Sequence, residues 1–530
     1  MTSPADLLPE DTPIHPSLFE FPRYVGRDRG PLYLPERLAE WEDLPNFTPK
    51  ETKPIGFIPG VPHTYGYIDG SYGMMNTAQL AIGESTCAAK IVAYSRANGG
   101  NALFDASALS RVAMQRCATA RCAVKLMGSL AEKHGFYGAE DPLEKGNDLF
   151  EVAGEALTII DTQEAWVMHL LADPSGTSAV WAAQRVPSNH LAAIPNKFII
   201  DSMNLTDSSN FLASKNMIDV ALDSGFLTKE THEQRGAEQN FHFSEAFALD
   251  FELAAQGRNA AEAERRRWRI FSIVAPSQGF QPDQLARFPF SVKVERSIGV
   301  EDLKSLMRDH FEGTPFDQTT GLAAGPFGNP NRYDRNSEVQ PEVRNGFFER
   351  TISIHRTSYS FVAVSKARND STSSEEDQSE QVRGALGPDT GNVTAIGKGN
   401  TTNKEAYTGF GGVLWLAHHS PQNSLYLPLS AQSRALPESF GRGNLYRMDR
   451  LSAWWAFCAV SNNAERMYAP IHAYISNQQK LLESQSTEQV ADVGRQANER
   501  VEAGREDEAI DLLTEFTVQH NSKVSSRERS

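Results

Sequence analysis

Residues 72–90 read YGMMNTAQLAIGESTCAAK. Leu80 and Ile82 alternate with small residues, and the run then passes through Glu84, Ser85, Thr86 and Cys87 without another large apolar side chain. Alternation with period two is the signature of a β-strand. Small polar residues at its end let backbone groups come close to a ligand. Two readings are available on these residues alone, an ordinary sheet strand and a strand whose end lines a binding cleft, and the spacing favours the ordinary strand. Cys87 likewise reads as a buried structural residue or as a nucleophile. No histidine stands near it in sequence to act as a base, and a cysteine inside a strand is usually inert, so the structural reading is preferred.

On either side of this stretch the pattern changes. Twelve of the 28 prolines fall in the first 62 residues, which predicts an extended segment over 1–62, because proline removes backbone donors and blocks helix interiors. Downstream, Asp105 or Ser107 can cap a helix reaching Cys117. Thr119 can cap a second, in which Ala120, Ala123, Val124, Met127, Leu130 and Ala131 recur at helical spacing up to Gly135. EALTIID (155–161), EAWVMHLL (164–171), SAVWAAQRV (178–186) and KFII (197–200) read as strands, separated by turns such as ADPSGTS. Further strand-like runs stand at 351–364 and 411–417. Helices followed by strands, then more strands, argue for a layered α+β fold with antiparallel sheets. Residues 366–408 are nearly free of large apolar groups and are expected to be a disordered insertion. The domain reading is therefore a core over 63–365 and 409–475 and charged helices over 476–530.

The balance of 51 basic against 67 acidic residues gives a net charge of −16, which argues against nucleic acid as a partner. No window approaches the length of apolar sequence that a membrane span needs. Cys87, Cys117, Cys122 and Cys458 are too few for a disulfide framework and show no metal-ligand spacing, so all four are expected to be reduced. N-x-S/T sequons occur at Asn46, Asn204, Asn369, Asn392 and Asn400; they suit a secreted protein and also arise by chance, leaving the compartment open.

His310, Glu312, Asp317 and Asp334 lie in one Gly- and Pro-rich segment that reads first as a loop capped by carboxylates and second as a divalent-ion site. His418 and His419 adjoin at a strand end, where neighbouring side chains diverge. RRRWRIF (265–271) reads as a solvated helix face, with an inward arginine as the alternative. GxSxG, HExxH, P-loop and dinucleotide fingerprints are lacking, and no nucleophile can be nominated from spacing.

Several motifs taken together resemble one family. YGMMNTAQLAIGESTC, the helical stretch from LFDASALSRVAMQRC to EKHGFYG, EAWVMHLL with VWAAQRVP, RRRWRIFSIVAPS, DHFEGTPFD with GLAAGPFGNPNRYD, and RTSYSFV are similar to the cysteine dipeptidases of the N-terminal-nucleophile hydrolase superfamily, which also contains the secernins. The resemblance implies a four-layer αββα sandwich of two antiparallel sheets, with surface helices at the C-terminus. It implies thiol-dependent hydrolysis of dipeptides through an acyl-thioester, with no cofactor and no metal, and a nucleophilic cysteine whose own α-amino group is the base. That cysteine and its Asp-Gly-Ser turn are expected upstream of Met1, since nothing in the first residues matches them. By position, Asn196 is implied as an oxyanion donor and Arg266, or its neighbour Arg269, as the arginine that holds the nucleophile's surroundings. Glu84, Ser85 and Thr86 are implied as substrate-binding and Asn76 as structural. A secernin-like, non-catalytic role in exocytosis or trafficking is the alternative. The expected compartment is cytoplasmic for the sequence as written, and secreted or lysosomal/vacuolar if an upstream segment carries a signal peptide.

Overall fold

The computed structural model describes residues 11–14, 54–139, 150–236, 240–249, 261–282, 288–332, 350–366, 380–386, 393–399, 411–441 and 448–529. Among them are the strands β1 (Thr12–Ile14), β2 (Gly56–Ile58), β3 (Tyr67–Asp69), β4 (Gly73–Asn76), β5 (Ala81–Cys87), β6 (Gly154–Ile160), β7 (Ala165–Ala172), β8 (Ala179–Arg185), β9 (His190–Pro195), β10 (Ser202–Met203), β11 (Phe211–Ala213), β12 (Phe241–His242), β13 (Val292–Lys293), β14 (Tyr359–Lys366), β15 (Glu380–Leu386), β16 (Val393–Gly399), β17 (Val413–His418) and β18 (Leu427–Ser430). The helices are α1 (Ala106–Arg116), α2 (Ala120–His134), α3 (Met217–Asp223), α4 (Lys229–Gln234), α5 (Phe243–Phe247), α6 (Ala261–Val274), α7 (Val300–Met307), α8 (Ala453–Ala464), α9 (Tyr468–Glu502) and α10 (Glu506–Arg529). Two seven-stranded sheets dominate, in the orders β11-β8-β7-β6-β5-β4-β3 and β13-β9-β16-β15-β14-β17-β18. All of their strand pairs are antiparallel.

Strand parity explains the packing. Ile82, Leu157, Ile159, Met168 and Trp181 join the apolar faces of α1 and α2 in one cluster, whereas Ala81, Ala156, Val167 and Val180 join Ile194, Phe361, Leu416 and Leu427 of the second sheet in another. The alternate residues of that second sheet, Leu191, Val362, Val364 and Trp415, pack with Phe271 of α6 and Leu303 of α7. Both faces of both sheets are thus covered. That is why β6 and β7 are buried along their whole length and read as continuous apolar runs.

The two early helices begin where the sequence indicates. Asp105 accepts from Ala108 N–H at 2.7 Å and Thr119 from Cys122 N–H at 3.2 Å, satisfying first-turn donors. At the end of α1, Asn76 Nδ2 donates to the carbonyls of Met114 and Cys117 at 2.9 and 2.8 Å, the structural role expected of it. The short turn between α1 and α2 brings the Cα atoms of Cys117 and Cys122 to 5.6 Å, and the two form a disulfide. This corrects the expectation of four reduced cysteines: helix termini, rather than a cysteine pattern, bring the pair together.

Other departures have local causes. KFII is not a strand; the ladder runs over His190–Pro195 and ends at the turn into Asn196. The 351–364 run becomes a strand only at Tyr359. Within 366–408, expected to be disordered, β15 and β16 complete the middle of the second sheet by pairing with β14 and β9; residues 367–379, 387–392 and 400–408 lie outside the described residues. Backbone pairing supplies there what apolar side chains do not.

At the C-terminus, α9 crosses the expected boundary at 475/476 and docks through a buried carboxylate. Glu483 accepts from Arg308 at 2.6 and 3.1 Å and from the Tyr426 N–H at 2.9 Å. Lys304 Nζ lies 3.8 Å from the same carboxylate and 3.8 Å from the Trp415 ring centroid.

Candidate active site

Asn196 directly follows β9 with a φ of 54°, a left-handed conformation that asparagine tolerates better than most residues. The turn carries its amide from the second sheet to the first. Nδ2 donates to the Thr86 carbonyl on β5 at 2.8 Å, and Oδ1 accepts from Arg266 Nη1 at 2.9 Å. Arg266 Nη2 also donates to the Pro195 carbonyl at 2.9 Å. A guanidinium only donates and a carbonyl only accepts, so these partners fix which amide atom is oxygen and which nitrogen. One Nδ2 hydrogen serves Thr86, and the other has no partner among the described residues.

Arg266 comes from α6, where Arg267, Ile270, Phe271 and Val274 form the inward stripe at helical spacing. Arg266 and Arg267 are only 2% and 3% exposed, which corrects the reading of this run as a solvated face. Arg269, two residues before Phe271, turns elsewhere: it pairs with Asp309 at 2.7 Å and donates to the Glu312 carbonyl at 3.0 Å. Of the two arginines left open by the sequence, Arg266 meets Asn196.

The segment after Asn196 is pinned as well. Lys197 Nζ lies 3.3 Å from Glu264 Oε1. His169 Nε2 on β7 accepts from the N–H groups of Ile199 and Ile200 at 2.9 and 3.1 Å, and Ser244 Oγ donates to the Phe198 carbonyl at 3.0 Å. Burial, with the nearby Arg267 charge, lowers the His169 pKa to about 3. The ring is therefore neutral, with its proton on Nδ1, and Nε2 is free to accept. His169 and Ser244 were not singled out by sequence reasoning. The one available signal was a lone histidine within the apolar run AWVMHLLA.

The three residues implied as substrate-binding do not share a face. Thr86 Oγ1 donates to Glu84 Oε1 at 2.7 Å, so these two act together on one side of β5. Ser85 has the parity of Ala81 and Cys87 and belongs to the side facing the second sheet. Cys87 is buried, and its thiol contacts the Ser85 carbonyl at 3.3 Å.

The remaining candidates are absorbed by local structure. The Glu312 carboxylate accepts from the His310 N–H at 2.7 Å and lies 3.1 Å from its Nδ1. Burial pushes the Glu312 carboxyl up, but the hydrogen bonds and charge of His310 more than offset it and hold it at about 2. Asp317 accepts from the Gly313 and Thr319 N–H groups, as a loop-capping carboxylate does, and Asp334 lies outside the described residues. Among the described residues no three His, Cys, Asp or Glu side chains form a metal-ligand set. His418 packs against Phe440 and Phe457 and His419 against Trp454, and burial lowers both to a pKa of about 4.

Residues 48–377, more than half of the sequence, match the family model described as Peptidase family C69. The chain belongs to peptidase family C69. Among curated proteins it is similar to dipeptidase A of Lactobacillus helveticus, 25% identical over 194 residues covering 37% of this chain and 34% of that protein. It is also similar to a probable dipeptidase B of Streptococcus pyogenes serotype M1, 23% identical over 293 residues covering 54% and 48%. A third is a probable dipeptidase of Salmonella dublin, 22% identical over 254 residues covering 48% and 49%. The chain thus spans about a third to a half of the length of these relatives.

Proposed function

We propose that this chain is the body of a cysteine-type dipeptidase with the four-layer αββα arrangement of N-terminal-nucleophile hydrolases. Membership of a peptidase family and relatives named as dipeptidases support the class of reaction. The observation that carries the reading is the second N–H of Asn196 Nδ2, oriented by Arg266 and by the Thr86 carbonyl and committed to no other group among the described residues. A donor fixed before the substrate arrives needs no reorganisation as negative charge develops on a carbonyl oxygen.

Cys87 and Cys458 are buried and Cys117 is bonded to Cys122, so none of the four cysteines is offered to a substrate. The attacking thiol on this reading belongs to a cysteine at a processed N-terminus upstream of the sequence, activated by its own α-amino group. Its sulfur adds to the peptide carbonyl carbon, and Asn196 donates to the resulting oxyanion. Collapse expels the amine of the second residue, protonated by the α-ammonium group, and leaves a thioester that water hydrolyses. Arg266 holds Asn196, and Ser85, on the side of β5 that faces the second sheet, borders the small peptide.

The test is dipeptide hydrolysis by the protein purified from its own cells, with its N-terminal residue sequenced. Thiol alkylation should abolish turnover and a chelator should spare it. Asn196→Ala should lower kcat by about 10²–10³, the usual effect of losing one oxyanion donor. Unchanged kcat removes that role from Asn196. A mature chain with no N-terminal cysteine and no dipeptide cleavage would instead place it with the non-catalytic, secernin-like proteins.

A further inference from the structure

We propose that Asn204 carries an N-linked glycan and that the chain matures in an oxidising lumen. Of the five sequons, Asn204-Leu205-Thr206 is the one that falls within the described residues. It occupies the loop between β10 and β11 as a tight turn, with Asp207 N–H donating to the Asn204 carbonyl at 3.0 Å. Asn204 and Thr206 are both exposed, while Leu205 between them packs against the core shared by the two sheets. The sequon is therefore anchored by its middle residue and presented by its outer two.

The side chains take the arrangement that glycosyl transfer needs. Asn204 Oδ1 accepts from the Thr206 N–H at 3.1 Å and from the Thr206 hydroxyl at 2.7 Å. Two donors on the amide oxygen draw electron density from Nδ2 and make its hydrogens more acidic. Nδ2 itself has no partner among the described residues and faces solvent. Both bonds span only two residues, so a nascent chain forms them before it folds, and an exposed attachment point leaves the sugar outside the packed body. In the transfer, Nδ2 bonds to the anomeric carbon of a lipid-linked oligosaccharide. The bond from that carbon to the polyprenyl diphosphate oxygen breaks, the diphosphate leaves with the electron pair, and one amide proton passes to a base.

The Cys117–Cys122 disulfide is an independent observation that points to the same compartment, because disulfides persist where thiols are not held reduced. A sequon alone says little, and neither does one cysteine pair. Here an exposed, correctly turned sequon and an oxidised pair occur in one chain.

The experiment is peptide mapping of the protein purified from the cells that naturally make it. After peptide N-glycosidase treatment in heavy-oxygen water, the tryptic peptide 198–215 should carry labelled aspartate at 204, and without the enzyme the unmodified peptide should be absent. Thr206→Ala should lose one glycan step in gel mobility and Thr206→Ser should retain it. Of the four cysteines in this sequence, denaturing alkylation without reduction should label Cys87 and Cys458 and leave Cys117 and Cys122 unlabelled. An unmodified 198–215 peptide overturns the glycan site even if the disulfide is present. Label on Cys117 and Cys122 overturns the oxidising compartment.

Discussion

At Asn196 a single amide bridges the Thr86 carbonyl and Arg266, and the oxyanion donation we propose for it can be separated from that bridging by substitution. Asn196→Asp keeps the size and the partnership with Arg266 but removes both N–H groups and sets a carboxylate against the Thr86 carbonyl. Its kcat should fall as far as that of Asn196→Ala while urea unfolding still shows one cooperative transition; retained kcat would mean that the amide hydrogen is not used. Arg266→Met should act on the scaffold first. It leaves Asn196 Oδ1 and the Pro195 carbonyl without their donors, a loss of about 1–3 kcal/mol of stability that a shifted urea midpoint would register. Asn196 and Arg266 were legible only through family resemblance. Composition gives no reason to choose Asn196 over any other turn asparagine, because what distinguishes it is a carbonyl 110 residues away in sequence on another sheet.

Among the elements, the α1–α2 corner was readable in advance because its determinants are local: two capping side chains, a helical stripe and a terminating glycine. Its disulfide was not, since a helix reaching Cys117 and a second capped at Thr119 place the two cysteines along the chain but do not give the angle between the helices, which brings their Cα atoms to 5.6 Å. Closing so short a loop limits the benefit; Cys117→Ser with Cys122→Ser should cost about 2 kcal/mol, measurable as a lower Tm. A tighter constraint lies one helix face away. A Cβ at Gly128 would sit 2.3 Å from the Trp181 ring, whose Nε1 is held by Glu132 at 2.6 Å. Gly128→Ala should therefore destabilise by about 1–3 kcal/mol despite the better helix propensity of alanine, and the Tm should fall rather than rise. The arginine run of α6 misled for the opposite reason to the disulfide: charge ordinarily means solvent, and the partners that permit burial come from β9 and from residues beyond α6 in the chain.

For the whole molecule, the layered α+β order was legible from the succession of helical and alternating runs, but the filling of the second sheet by β15 and β16 was not. Interior histidines set its response to acid. Burial lowers His169 to a pKa of about 3 and His418 to about 4, against 6.5 for an unburied ring. Below 6.5 the unfolded chain takes up protons at these rings while the folded chain does not, so stability is full above 6.5 and declines as pH falls toward 4 and 3. When fully expressed the loss is about 5 kcal/mol for His169 and about 3 kcal/mol for His418. Tm should drop steadily from pH 7 to pH 4.5. His418→Phe, which keeps the ring packing against Phe440 and Phe457, should make that decline shallower; an unchanged slope would assign it to other groups.

The docking of α9 has a consequence in time. Glu483 is made 175 residues after Arg308, roughly 10–35 s later at ordinary rates of synthesis. Until it arrives, Lys304 and Arg308 have no interior carboxylate to meet among the described residues, and the side of the second sheet that they face cannot close. A chain that stops short of Glu483 therefore keeps two cations and an apolar surface in water together, and is distinguishable from a finished molecule by any protease that samples it.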